Sequence, residues 1–191
     1  MYAVAFYCVH LRTKNDNEKG DIMGAPYTSL AVANALLEIA ERVDNKRLTN
    51  LVLQKLVYFA HGWYLGLAHT PLVCETCQSW RYGPVFQYLY EALRKYGAGE
   101  VTEEIETFDK VEKDSEDYRF LERLYDQYGR CSAGELIAIT HNPGSPWEQM
   151  GAGKIPYKEI PNSIIEEFYS RLAKENASKN KSDSIRARAT V

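Results

Sequence analysis

This chain of 191 residues has little that would suit a membrane or secreted protein. Its apolar opening, residues 1–11, is far shorter than the roughly 20 residues that a membrane-spanning helix needs. No Lys or Arg precedes this stretch, and the polar sequence RTKNDNEKGD follows where small cleavage-site residues would belong in a signal peptide. The sequence therefore predicts no membrane partner, and it predicts that residues 1–22 are an unstructured leader.

The chain also lacks an excess of charge of one sign. Its 23 Lys and Arg residues nearly balance 26 Asp and Glu residues, which leaves a formal net charge of −3. A molecule with so small a net charge has no long-range field that draws it to nucleic acid or to an anionic membrane. We therefore do not expect nucleic acid as a partner of the core.

Cysteine is too sparse for a disulfide scaffold. The four cysteines, Cys8, Cys74, Cys77 and Cys131, lack the dense spacing of small secreted domains, which indicates a reducing, cytoplasmic home. Cys74 and Cys77 have CxxC spacing, but a second pair that would complete a zinc site is absent. No βαβ pattern surrounds them, as a redox motif would require. The sequence predicts no metal and no cofactor.

The signatures of common catalytic sites are missing as well. No Gly-x-Ser-x-Gly elbow accompanies the four histidines. The tripeptide GAG occurs twice, but neither copy stands between a strand and a helix, where a phosphate-binding loop would lie. The sequence thus predicts a protein that is not an enzyme, and a small enzyme using His61 stays as an alternative.

What is present is helical periodicity in the first third of the chain. Thr28 is placed to cap a first helix, and Thr49 is placed to cap a longer, central one. Apolar residues recur at steps of three and four in both helices. They are Val32, Leu36, Ile39 and Val43 in the first helix, and Leu53, Leu56, Val57, Ala60, Tyr64 and Leu67 in the second.

The region after the central helix is rich in residues that disfavour helix. We predict a short, β-hairpin-like extended segment near residues 70–82. Pro84 then fits the first turn of a further helix, and Gly97 fits the end of that helix. The inward side of this helix would consist of Phe86, Leu89, Tyr90 and Leu93. The acidic, weakly periodic residues 98–115 predict an exposed connection.

The second half of the chain predicts further helices. One carries Phe120 to Tyr128 and ends at Gly129, and the next opens with a Ser132/Glu135 capping box. Ser145 and Pro146 predict a short helical turn, and a last helix follows. Its apolar side is Ile164, Ile165, Phe168 and Leu172. The fold class is mainly α: a single compact helical domain of about six helices, followed by a disordered basic tail at residues 177–191.

One side of the central helix carries polar groups beside the apolar stripe. Gln54, Tyr58 and His61 follow one another at steps of four and three residues, with Leu65 four residues further on. An amide, a hydroxyl and an imidazole suit a groove that recognises peptide backbone or amide groups. The same groups could instead satisfy one another and nearby turns at the boundary of the core.

Three motifs in order carry a family resemblance: LQKLVYFAHGWYL, SWRYGPV and HNPGSPWEQM. With them the chain resembles the Panacea domain family of SocA-like antitoxins and phage GepA-like proteins over about residues 28–170. The matching residues are Leu53, Gln54, Lys55, Leu56, Tyr58 and Phe59, then Trp80, Gly83, Pro84 and Val85, and finally Pro146 and Trp147. The chain departs from the family at Gln78, where members often have an acidic residue.

The resemblance implies a domain at residues 23–176 that acts by binding. Members of the family look like antitoxins, often from prophages, that neutralise a cognate toxin by direct contact, some of them as adaptors for a cytoplasmic AAA+ protease. The expected partner-binding residues are Gln54, Lys55, Tyr58, His61, Trp80, Tyr82, Tyr90 and Trp147. A phage-associated regulatory protein that binds a peptide or nucleic acid is the alternative function.

Overall fold

A computed structural model describes residues 27–188 of the chain, with side chains for residues 27–178. The predicted leader, residues 1–22, lies outside the described residues. Within them, seven α-helices and a three-stranded sheet confirm the mainly α fold with a short hairpin. The elements are α1 (Ser29–Asp44), α2 (Asn50–Ala68), β1 (Cys77–Trp80), β2 (Gly83–Phe86), α3 (Gln87–Leu93), a 3-10 turn (Arg94–Tyr96), α4 (Glu116–Tyr128), α5 (Ala133–Thr140), α6 (Pro146–Gln149), β3 (Lys158–Ile160) and α7 (Asn162–Arg188).

Helix α2 forms the centre of the domain, as its long apolar stripe predicts. It packs against α1, α3, α4, α5, α7 and β2. The α7 helix approaches closest at two glycines of α2, because a Cβ on Gly62 would lie 2.2 Å from the Tyr169 ring, and one on Gly66 would lie 2.7 Å from the Tyr169 backbone. At two positions the periodicity predicts a buried residue and the structure shows an exposed one, because Val43 and Leu67 lie at the surface.

Helix starts follow the capping residues that the sequence offers. Thr28, Thr49 and Ser145 each accept a hydrogen bond from a backbone N–H in the first turn of the helix that they precede. Ser132 and Glu135 form the complete capping box at the start of α5. These four local predictions are confirmed.

The sheet has the strand order β2-β1-β3, with both pairs antiparallel. The hairpin occupies residues 77–86, later than the predicted 70–82, and Arg81 and Tyr82 form its tip. Pro84 lies in β2, paired with Ser79, so the prediction that it opens a helix was wrong. Pairing with β1 places Pro84 in a strand, and a proline is tolerated there because β2 lies at an edge of the sheet, where a missing backbone N–H costs little.

The acidic connection, residues 98–115, is more ordered than a solvent-exposed linker. It lies across α1 and buries Val101, Ile105 and Val111. The Asn34 side chain donates to the Ile105 carbonyl and accepts from the Ile105 N–H, at 2.8 Å and 2.9 Å. The predicted exposed connection is therefore wrong for these apolar residues and for Asp109, which is buried and accepts hydrogen bonds from the Thr28 N–H and hydroxyl, while most of its other charged residues face solvent.

Helix α7 packs on α2 through its first part. Tyr169 is the last buried residue among those of α7 whose side chains are described, and residues 174–178 are exposed. The helix continues to Arg188, through the segment where the composition predicts disorder. Residues 177–188 contain no Gly or Pro, so no helix-breaking residue interrupts the chain there. No helix within residues 27–188 combines the length and the apolar character needed to cross a membrane.

Candidate functional site at the hairpin corner

The eight expected partner-binding residues lie in two layers around the β1–β2 hairpin. An inner layer on α2 is buried, and an outer layer comes from three different elements and the hairpin tip. The inner layer consists of Gln54, Lys55, Tyr58 and His61. The outer layer consists of Trp80, Tyr82, Tyr90 and Trp147.

Gln54 holds the junction between β2 and α3. Its Oε1 accepts from the Phe86 N–H at 2.9 Å, and its Nε2 donates to the Phe86 carbonyl at 3.3 Å. One amide side chain thereby satisfies both backbone groups of the residue that precedes α3. The sequence offers no side-chain cap at this helix start, so the hydrogen bonds from α2 take over that role.

Lys55 lies fully buried beneath the hairpin, and its Nζ donates to the Pro84 carbonyl at 2.8 Å. Gly83 has a φ of +100°, and a Cβ there would lie 2.8 Å from Lys55 Nζ and 2.7 Å from Thr140 Oγ1. The corner therefore requires glycine for both its backbone angle and its space. Burial lowers the pKa of Lys55 to about 7.

His61 joins three parts of the fold. Its Nδ1 accepts from the Val73 N–H at 3.1 Å, so the proton is on Nε2, which donates to Asn162 Oδ1 at 3.0 Å. Burial lowers the pKa of His61 to about 4, which keeps the ring neutral at pH 7. Because both nitrogens make structural hydrogen bonds, the ring is not available as a general base, and the alternative of a small enzyme loses its key residue.

Tyr58 faces inward toward α7. Its ring meets that of Tyr169 edge-on with centroids 6.1 Å apart, and burial raises its pKa well above the usual range. The four polar residues of the inner layer therefore contact this chain itself. These side chains are buried in the folded domain, and contact of Gln54, Lys55, Tyr58 and His61 with a partner stays a prediction.

The Trp80 side chain is held by a hydrogen bond to Gln78, the position in β1 at which the chain departs from the family that it resembles. The Trp80 Nε1–H donates to Gln78 Oε1 at 2.9 Å, and Gln78 Nε2 donates to Gln87 Oε1 at 3.1 Å. An amide oxygen accepts the indole hydrogen bond as a carboxylate would. The negative charge itself is not needed for this contact.

The other indole closes the corner from α6. Trp147 Nε1 donates to the Trp80 carbonyl at 2.7 Å, and the Trp147 ring stacks on His141 with centroids 3.6 Å apart. Tyr90 packs against the Trp80 ring at 4.8 Å. The structure thus brings Trp80, Tyr90 and Trp147 together, although they come from separate segments of the chain.

Tyr82 projects from the hairpin tip and is 59% exposed. Two neighbours that sequence reasoning missed, Ile155 and Tyr157, are 53% and 62% exposed. The Tyr157 ring meets the Trp80 ring edge-on at 5.3 Å. The signal for them was available: an Ile and a Tyr flank Pro156 in a Gly-rich loop, where large apolar side chains have no core to fill.

The cysteines and carboxylates of the described residues form no metal site. No group of three or more His, Cys, Asp or Glu side chains within residues 27–178 is arranged to hold a metal ion. Cys77 is buried with a free thiol, and burial raises its pKa to about 12. A thiol so far from ionisation is a poor nucleophile.

Comparison with known proteins identifies a family and a relative. The family described as Antitoxin SocA-like, Panacea domain, matches residues 53–148, which include most of α2, the whole hairpin and most of α6. Antitoxin SocA of Caulobacter vibrioides is 33% identical over 132 residues, which cover 64% of this chain and 70% of that protein. No solved structure matches the chain significantly.

Proposed function

The chain belongs to the Antitoxin SocA-like, Panacea domain family, and from this membership we propose that it is an antitoxin that neutralises a cognate toxin by direct protein–protein binding. The observation that carries the proposal is the 33% identity to Antitoxin SocA over 70% of that protein. The geometry of the corner is consistent with it, because both ring nitrogens of His61, the residue that the alternative of a small enzyme would use, make hydrogen bonds within the fold.

The outer layer of the corner is where we place toxin contact. Tyr82 is exposed, Trp80 and Tyr90 are half-buried, and the three side chains combine an aromatic surface with polar tips, which is common in interface anchors. The Trp147 indole N–H donates to the Trp80 carbonyl and so helps to hold Trp80 in place. The buried inner layer contributes indirectly, by fixing the hairpin to α2.

Co-expression tests the proposal. The product of the neighbouring reading frame is expressed in a heterologous host with and without this chain, and growth and co-purification are measured. We expect the neighbour to arrest growth alone, and we expect this chain to restore growth and to form a stable complex. A neighbour on either side that is neither toxic nor bound would contradict the antitoxin function.

We further propose that the chain, once bound to the toxin, delivers it to a cytoplasmic AAA+ protease. The two forms differ in what happens to the bound toxin. If the chain is an adaptor, the half-life of the toxin after translation is stopped should fall several-fold when the antitoxin is present. A toxin that persists in a stable complex, with growth restored, would instead support neutralisation by binding alone.

A further inference from the structure

Five exposed side chains at the hairpin corner form one continuous surface, which we call the corner patch. Arg81 and Tyr82 come from the hairpin tip, and Lys154, Ile155 and Tyr157 come from the loop before β3. Six large apolar residues are exposed in the described part of the chain, and three of them are in this patch. Large apolar side chains gathered at one place on a surface indicate an interaction site.

The two segments of the corner patch are held together by their backbones. A Cβ on Gly153 would lie 2.6 Å from the Trp80 carbonyl oxygen, so only glycine lets the loop lie this close to the tip. The Gly153 N–H donates to Ser79 Oγ at 3.2 Å, and the Tyr157 ring packs on Trp80. The patch is therefore preformed, which reduces the ordering that a partner must impose on it.

The charge of the corner patch has one sign. Residues 80–83 and 151–157 contain Arg81 and Lys154, and they contain no Asp or Glu. Neither cation has an ion-pair partner among the side chains of residues 27–178, and the Arg81 guanidinium lies 5.4 Å from the centroid of the Tyr82 ring. Two unpaired cations on an aromatic surface complement carboxylates on a partner.

We propose that the corner patch is the surface that recognises the toxin, and that it binds a toxin surface on which carboxylates lie beside apolar side chains. Tyr82, Ile155 and Tyr157 would cover the apolar part, while Arg81 and Lys154 pair with the carboxylates. This proposal rests on the proposed antitoxin function and adds to it the chemistry of the partner.

Charge also decides between an acidic protein and a single-stranded nucleic acid. Aromatic and basic side chains together can bind single strands, but such sites have a basic groove that follows the phosphate backbone. Here there are two cations, and the chain as a whole has a net charge of −3. A small basic patch on an acidic molecule suits a protein surface better.

Charge reversal at the patch tests the proposal against a matched control. In the double variant Arg81→Glu/Lys154→Glu the net charge falls by four, and it falls by four as well in Lys110→Glu/Lys174→Glu, which changes exposed lysines outside the patch. Affinity for the purified product of the neighbouring reading frame is measured at low and high salt. Melting temperatures verify that both variants are folded.

We expect the patch variant to bind the neighbour at least about tenfold more weakly than the wild type, and the control variant to bind it as the wild type does. The association rate of the wild type should fall with added salt, because screening weakens the attraction, and that dependence should be lost or reversed in the patch variant. Tyr82→Ala/Tyr157→Ala should also weaken binding, whereas Phe108→Ala, at an exposed aromatic of the acidic connection, should not.

The outcomes separate this proposal from the antitoxin function. If both charge variants neutralise the neighbour and bind it like the wild type, the patch is not the toxin site, although the antitoxin function stands. If the patch variant instead loses binding to a fluorescent 20-nucleotide thymidine strand and keeps the neighbour, the patch is a nucleic-acid site and the proposal is wrong. A wild type that neutralises no neighbour would overturn both proposals.

Discussion

The protonated side chain of Lys55 has three N–H bonds, and beneath the hairpin its Nζ donates to one protein acceptor, the Pro84 carbonyl. The side chain is fully buried and pairs with no carboxylate among residues 27–178, so burial favours loss of the proton and lowers the pKa to about 7. Its unfolded form, by contrast, has the pKa of an ordinary lysine. The residue therefore links folding to proton release.

The sign of that linkage gives a prediction for Lys55→Met. The folded pKa of about 7 lies below the unfolded value of 10.5, so between these values the unfolded chain holds a proton that the folded chain lacks. Stability then rises with pH, by about 2 kcal/mol between pH 7 and pH 9. We expect urea unfolding to show this rise for the wild type and its absence in Lys55→Met.

The window ends at pH 9 because Cys77 acts in the opposite sense. Its folded pKa is raised from 9.0 to about 12, so stability falls as the pH rises beyond the unfolded value. If the wild type and Lys55→Met show equal slopes below pH 9, Lys55 ionises normally in the folded state and its burial is not as described.

The sequence could not predict that the inner layer of the site is buried. The spacing of Gln54, Lys55, Tyr58 and His61 places them beside the apolar stripe of α2, but spacing does not say whether another element covers that side. The hairpin covers Gln54 and Lys55, and α7 covers Tyr58 and His61. Both contacts join residues that are distant along the chain.

Among the elements, α2 and α7 pack closely against each other at two glycines. Gly62 and Gly66 lie one turn apart on α2 and leave room for the Tyr169 ring and backbone. A stripe of small residues lets two helix backbones approach, so that the surrounding side chains pack at short range. The position of α7 consequently depends on the absence of a Cβ at both Gly62 and Gly66.

Gly66→Ala should destabilise the domain by about 2 to 3 kcal/mol, because the new methyl group would lie 2.7 Å from backbone and force α7 outward. Gly134→Ala is the matched control in α5, where a Cβ meets nothing within 4 Å. There the same change should stabilise by up to about 1 kcal/mol. Denaturant unfolding of both variants distinguishes a packing effect from helix propensity, which alone would stabilise both.

Helix starts that are fixed by residues close together in the sequence were predicted well. Thr28, Thr49 and Ser132 cap their helices because the donor and acceptor lie within three residues of each other. Pro84 shows the limit of that reasoning. A proline before a helical pattern fits the first turn, yet pairing with β1 and the hydrogen bond from Lys55 draw this residue into a strand.

At the scale of the whole molecule, helix α7 packs on the core at its start and becomes exposed further along. Among residues 27–178, Leu172 is the last apolar residue that packs against the core, and residues 174–178 are exposed. Stability should therefore not depend on the chain beyond that point.

A chain that ends at Asn176 should melt within about 2 °C of the full-length chain, since the side chains described at this end of α7, residues 174–178, are exposed. A chain that ends at Ile160 lacks α7 and exposes one side of α2, so it should not fold cooperatively. Thermal unfolding followed by circular dichroism compares the two. A large loss of stability on removing residues 177–191 alone would show that this end packs on the domain.

The order of contacts along the chain has a consequence for how quickly a folded copy of this protein can be made. Synthesis completes α2 at Ala68, but the side that faces α7 is covered only after Asn162 and the residues beyond it have been added. At about 5 to 20 residues per second, the ribosome needs roughly 5 to 20 s for that interval. During this time one side of the central helix is exposed to chaperones and proteases. If the chain neutralises a toxin as proposed above, protection from a fast-acting toxin comes from chains that were completed before the toxin appeared.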